Sequence, residues 1–307
     1  MTMPPRTGDA EVILHPAALG FRADGDGWLR EVGGRTLRFH RVRTRAEFAG
    51  CERLQRDVFG VSESDLASFS ILVIIPKTGG EILGVTDPAS GELIGYIQGY
   101  GGFVNRQPVL ISDLMAVLPD YRGGVGYALK TLQACVALAD GFSQMTWTVD
   151  PLRAANARLN HERLGATARE YGRDLYGTDF AGGLYGGMPS DRLIVHWDLL
   201  STRVHQRLLR PDRHTHSPLN ADALAHVPAW GEQTDATTPV HLHIPRDIDA
   251  LLAHNPESAL AERLRLRDAL EAAFAAGYRI TGFIGDAASA TSAFVLTPDT
   301  PGQSVRG

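Results

Sequence analysis

Apolar positions change their spacing along this chain, and each change marks an element. Trp28 to Val32 and Arg35 to Val42 read as two strands about Gly33-Gly34, which predicts a hairpin with a two-residue turn. Thr44 followed by Glu47 forms a capping box. Phe48, Cys51, Leu54 and Val58 then recur at helical spacing on one face. Strands are expected over Glu81 to Asp87 and Glu92 to Tyr100, linked by a turn over Pro88, Ser90 and Gly91. Val109 to Leu118 is rich in β-branched and large apolar residues, and Pro119 stops it from continuing as a strand. A helix with the apolar run Lys130 to Ala139 follows. Gln144 to Val149 reads as a strand that Pro151 breaks, and Ala154 to Leu164 as a helix closed by Gly165, which suits a left-handed position. This alternation predicts an α/β class with a mixed sheet flanked by helices.

The texture changes after Leu200. Pro211 to Pro239 has no sustained period and reads as a long loop or linker. A small αββ module is expected beyond it. Val240 to Ile244 is its first strand, Ser258 to Ala275 its helix with Leu260, Leu264, Leu266, Leu270 and Phe274, and Tyr278 to Ile284 and Ala293 to Thr297 its last strands. The leucine stripe predicts a face packed on the preceding core.

Chemistry concentrates in Val117 to Lys130, where an apolar strand passes into a helix through Arg122-Gly123-Gly124-Val125-Gly126-Tyr127. Glycines at 123, 124 and 126 remove Cβ atoms that would hold a ligand away. Backbone N–H groups at the positive end of the helix dipole can then meet anionic oxygens. An ordinary tight turn would use the same residues.

Strand, Val-x-Pro-x-x-Arg-Gly, then Gly-Val-Gly and an apolar helix resembles the acyl-coenzyme A loop of the GNAT superfamily of N-acyltransferases, although the loop is one residue shorter than the usual pattern. Asn156 with Leu164-Gly165 fits the helix that packs beside the coenzyme in that family. The resemblance covers roughly residues 39 to 200 and implies a GNAT-like core. Around it stand an N-terminal extension (1–38), a linker (201–239) and a C-terminal module (240–307) packed on the core. A narrower likeness, carried by Thr148 to Leu152, Asn160, Met188 to Leu193 and Trp197, is to acyltransferases found alongside N-acylamino acid racemases.

The resemblance implies acetyl-CoA or another short acyl-CoA as co-substrate and a small-molecule amine as acceptor. It implies that backbone groups of Met115 and Val117 meet the pantetheine, that Gly123 to Tyr127 with Arg122 cradle the pyrophosphate, and that Asn156 touches the pantetheine arm. Phe59 to Phe69 becomes an acceptor loop. The family's thiolate-protonating Tyr aligns with His161, leaving Tyr171 and Tyr176 as rivals, and Asp113 is the best-placed carboxylate for a base. A silent CoA-binding module is the competing reading. A Rossmann binder is a weaker one, for Gly-x-Gly-x-x-Gly is missing after the first strand.

With 307 residues, 44% apolar, the chain can bury a full core, and a formal charge of −5 argues against a general nucleic-acid binder. Phosphates must be met locally, by Arg122, Lys130, Arg153 and Arg158. Cys51 and Cys135 are the two cysteines, Cys135 in an apolar helical run that suits a small buried side chain. No apolar run is long enough to span a bilayer, and Met1 to Ala10 lacks the form of a signal peptide, so the expectation is a cytoplasmic protein without membrane contact, compatible with a homodimer. His214-x-His216 and His241-x-His243 raise a metal site, but no third ligand has convincing spacing and none is expected. Asp191-Arg192 reads as a structural ion pair.

Overall fold

The computed structural model describes residues 14–60, 63, 65–178, 187–209, 224, 226–233, 235–285 and 291–299. The expected hairpin is present as β2 (Gly27–Val32) and β3 (Arg35–Arg41), preceded by a short β1 (Arg22–Asp24). Val32 pairs with Arg35, and Gly33 and Gly34 take φ of 58° and 76°, the left-handed values that a two-residue turn demands. Thr44 and Glu47 close a full capping box at the start of α1 (Arg45–Phe59), whose Phe48, Cys51 and Leu54 are buried. Then come α2 (Phe69–Ile74), β4 (Glu81–Asp87), β5 (Glu92–Val104), β6 (Gln107–Val117), α3 (Val125–Ala139) and β7 (Gln144–Val149). Helix α4 (Ala154–Ala157) runs on as one π-helical turn over Arg158–Arg163, ended by Gly165 at φ 74°.

Strands β8 (Thr167–Gly172) and β9 (Arg192–Asp198) complete this part. The stretch read as a linker opens instead with α5 (Thr202–Leu208), whose Val204 and Leu208 join the core around α3. Beyond it lie β10 (Val240–Pro245), an unforeseen α6 (Ile248–His254), α7 (Pro256–Ala275), β11 (Tyr278–Gly285) and β12 (Thr291–Pro298).

The twelve strands form one sheet in the order β1-β2-β3-β4-β5-β6-β7-β9-β8-β11-β12-β10. The fold is therefore mixed α/β, a central sheet with flanking helices. One core lies under α3 and a second under α1 and α2, while a third joins α7 to the C-terminal strands. Cys135 is buried among apolar neighbours as expected, and burial pushes its thiol up to about 12.

The C-terminal strands extend the sheet through Ile280 of β11, which pairs with Ala168 of β8. The expected stripe of α7 is buried only in part: Leu266 and Leu270 lie in the core and Phe274 packs against it. Leu260 and Leu264 are exposed, and Ala259, Arg263, Leu266, Leu270 and Ala273 are buried. Arg263 can lie inward because it donates two hydrogen bonds to the carboxylate of Asp150, so the helix turns by one position relative to its most apolar face.

Candidate active site

Strands β6 and β7 form the one parallel pair among these strands, and they pair only over Val109–Ile111 against Gln144–Thr146. Past that point they diverge. The N–H of Leu118 donates to the Ile94 carbonyl of β5, and alternation therefore turns the backbone amides of Met115 and Val117 away from β5, towards the gap. The gap opens into a cleft of about 1090 Å³ walled by both splayed strands, Arg122, the start of α4 with Arg153 and Asn156, Val58 and Phe59 at the end of α1, Asp65 and Ala67 after it, and Arg246 to Asp249 before and in α6.

A β-bulge sets the chemistry of the floor. Gln98 pairs with Leu114 and Gly99 with Ser112, so Asp113 is an extra residue on β6. An extra residue inverts the alternation of the strand. Before the bulge, Leu110 and Ser112 face α3; after it, Met115 and Val117 do. Asp113 and Leu114 are left on the side of α1, where both line the cleft. The Gln98 side chain donates to Asp113 at 2.7 Å. Asp113 reaches solvent through the cleft, but protein crowds its flanks. Desolvation raises its carboxyl above the ordinary value, against the opposing pull of Gln98. Tyr100, two residues along β5 from Gln98, lines the same cleft, and desolvation and the Asp113 charge raise its phenol. Sequence reasoning passed over Tyr100 because it looked like the end of a strand.

The glycine turn behaves differently from the expectation that all three glycines open space for a ligand. Gly123, at φ 112°, does face open space. Gly124, at φ 141°, would place a Cβ 2.9 Å from Val32 of the N-terminal hairpin, and Gly126 one 3.1 Å from Met115. Those two allow close packing of the turn on the hairpin and of α3 on β6. Helix α3 starts at Val125 without a side-chain cap, and Arg122 lines the cleft beside it. Aromatic rings bracket the turn: Arg35 of the hairpin lies 4.5 Å from the Tyr121 ring centre, and Arg163 lies 4.1 Å from that of Tyr127.

Lys130 does not belong to this positive surface. It is 5% exposed on the inner face of α3, donates to Ser112 and lies 3.7 Å over the Trp147 ring. Arg158 pairs with Glu162, and Arg153 with Asp249.

Two of the expected proton donors lie outside the cleft. His161 is fully buried, its Nδ1 bonded to the Ala166 carbonyl at 2.9 Å and its ring edge-on to Phe294; burial pulls its imidazole down to about 4. It lies in the π-helical turn, on the side that packs against Phe294 of β12. Tyr171 donates to Asp191, which also takes two hydrogen bonds from Arg267 of α7. Desolvation first, then that carboxylate, raise the Tyr171 phenol. Tyr176 does line the cleft, its hydroxyl 3.0 Å from that of Thr148 and its ring 5.0 Å from the Arg192 guanidinium. The expected Asp191-Arg192 ion pair gives way to these contacts: Asp191 serves Arg267, and Arg192 donates to the Asp191 carbonyl.

The loop after α1 is anchored by Gln55, which exchanges two hydrogen bonds with Ala67, and by Glu52, which accepts from Phe69 N–H. The rings of His241 and His243 meet edge-to-face at 4.6 Å, with His241 bonded to the Val227 carbonyl; among the described residues no three metal-ligating side chains cluster. His214 and His216 lie outside the described residues. No helix among those described is long and apolar enough to cross a membrane.

No family model matches this chain, and no curated protein matches it. Solved structures do. A GNAT-family protein from Desulfovibrio desulfuricans, assigned as an acetyltransferase, shares 16% identity over 53% of this chain and 99% of its own, with a TM-score of 0.44. A GNAT superfamily phosphinothricin acetyltransferase from Sinorhizobium meliloti, solved with acetyl-CoA, shares 18% over 52% of this chain and 85% of its own, at 0.41. A protein from Salmonella typhimurium assigned as an acetyltransferase, also solved with acetyl-CoA, shares 18% over 53% and 94%, at 0.44.

Proposed function

We propose that this chain transfers a short acyl group from an acyl-coenzyme A, such as acetyl-CoA or succinyl-CoA, to the amine of a small molecule. The observation that carries the reading is the divergence of β6 and β7 into a cleft that holds Asp113 on its floor and Arg122 and the open side of Gly123 at one end. The residues fit the donor. An extended amide-bearing arm can add to the unpaired edge of β6 at Met115 and Val117 as a further strand would, with Asn156 on the opposite wall. Its phosphates fall at the uncapped start of α3 and Arg122. When bound, the donor supplies an already activated thioester.

The chain supplies alignment and proton transfer. Asp113 takes the proton from the attacking amine as the C–N bond forms, a role that its raised carboxyl pKa suits. Tyr176 gives a proton to the sulfur as the C–S bond breaks, with Thr148 orienting its hydroxyl. Desolvated walls at Val58, Phe59 and Ile248 keep the amine near its neutral form. An amino acid is the acceptor class we favour, supported by the sequence likeness to acyltransferases found with N-acylamino acid racemases. Incubation with acetyl-CoA and succinyl-CoA against a panel of amino acids and simple amines, following free thiol, tests the reading. Thiol release with an amine supports it; coenzyme binding without release for any amine would leave a silent binding module.

A further inference from the structure

The bulge that presents Asp113 is held from the opposite face of the sheet by a buried polar group. Ser112, 4% exposed, precedes Asp113 and points towards α3. Its hydroxyl donates to Gln133 Oε1 at 2.8 Å and accepts from Lys130 Nζ at 2.8 Å. Lys130 and Gln133 are themselves 5% and 0% exposed, and Lys130 rests on Trp147 of β7. Room for Gln133 exists because residue 99, which pairs with Ser112, is glycine: a Cβ there would lie 3.1 Å from Gln133 Nε2. On the cleft side Gln98, 0% exposed, completes the clamp through its bond to Asp113.

Such an arrangement is costly. A buried ammonium loses its hydration, and burial pulls Lys130 down to about 7, while Glu81 nearby is pushed up to about 8. An apolar trio would fill the same space without that cost. What polar groups add is register: a hydroxyl that must meet both a donor on one helical turn and an acceptor on the next allows one placement of Ser112, and so one bulge position.

We infer that Lys130, Ser112 and Gln133 are positioning residues that lock the β6 bulge and thereby aim the Asp113 carboxylate at the acceptor, tying it rigidly to the helix whose first turn receives the donor phosphates. The inference rests on the reading of Asp113 as proton acceptor. Without the lock, β6 can slide its extra residue by one position, and Asp113 leaves Gln98 and turns into solvent.

The test is a carbon-13 NMR titration of the aspartate carboxyls, with Asp113 assigned by Asp113→Asn, in the wild type, Ser112→Ala and Lys130→Met. The lock predicts that Asp113 in both variants titrates closer to the ordinary value of about 3.9, with a changed signal from the Gln98 side-chain amide. Loss of stability alone would leave both readouts in place, so folded variants with unchanged titration and an unchanged Gln98 signal would overturn the inference. Gln133→Met, which removes the acceptor of Ser112 while keeping a side chain of similar length, serves if either deletion unfolds the chain. The titration needs no turnover. Failure of the wild type to release thiol would count against the acyl-transfer reading, and an unchanged titration against the lock.

Discussion

Arg263 and Asp150 meet in a bidentate pair, with N–O distances of 2.6 and 2.9 Å, at 0% and 5% exposure. Asp150 directly follows β7 and lines the cleft, where it also accepts from the Leu152 N–H at the entry to α4. The C-terminal helix thus holds the corner from which Asn156 reaches the cleft. Replacing Arg263 by Met takes the bidentate partner from a buried carboxylate and leaves it Arg153 at 3.9 Å, and is expected to cost about 3 kcal/mol, read from denaturant unfolding. The double change Arg263→Met with Asp150→Leu should recover much of that loss. A single variant as stable as the wild type would show that the pair holds nothing. Truncation after Leu200 removes the same partner and should give a less soluble, lower-melting protein.

Asp113→Asn should lower turnover by about 10²-fold or more while leaving coenzyme A affinity, measured by calorimetry, within a small factor. In the wild type the acid limb of kcat/KM should lie above the ordinary aspartate value of about 3.9, because desolvation raises this carboxyl. An Asn variant with full turnover would move the base elsewhere in the cleft.

His161 should govern stability and not turnover. Its imidazole titrates at about 4 in the fold and near 6.5 unfolded, so between those values the unfolded chain binds more protons. Stability contributed by the neutral ring is full above pH 6.5 and is lost as pH falls towards 4. His161→Leu should flatten that part of the denaturation profile and keep thiol release. A large loss of turnover in a folded His161→Leu protein would contradict this placement.

The glycines of the turn should separate on substitution. Gly124→Ala forces a side chain into φ 141° against Val32 and should cost about 1 to 3 kcal/mol and weaken coenzyme A binding. Gly126→Ala meets only the mobile end of Met115 and gains helix propensity, so its melting temperature should stay level or rise. Equal losses from both would show that the two glycines do the same work in the turn.

Local chemistry made much of this legible. The capping box, the Gly33-Gly34 turn, β7 and Gly165 stand where their residues predict, since each depends on neighbours a few positions apart. Asp113 and Tyr176 could be named as candidates, yet the bulge could not: a single extra residue shows only once β5 supplies the register. The burial of His161 is not legible in the sequence, because a π-helical turn leaves no mark on apolar spacing. Arg263 was missed because its partner lies 113 positions away, and without that partner leucines look like the natural buried face.

Met115 and Val117 sit inside an eleven-residue strand, yet their amides have no partner in the ladder on the β7 side. Entry of an extended ligand there breaks no hydrogen bond of the sheet. These two N–H groups should therefore exchange with solvent deuterium far faster than those of Leu114 and Ala116 beside them, and slow down when coenzyme A is added, so that the strand itself becomes a built-in gauge of occupancy.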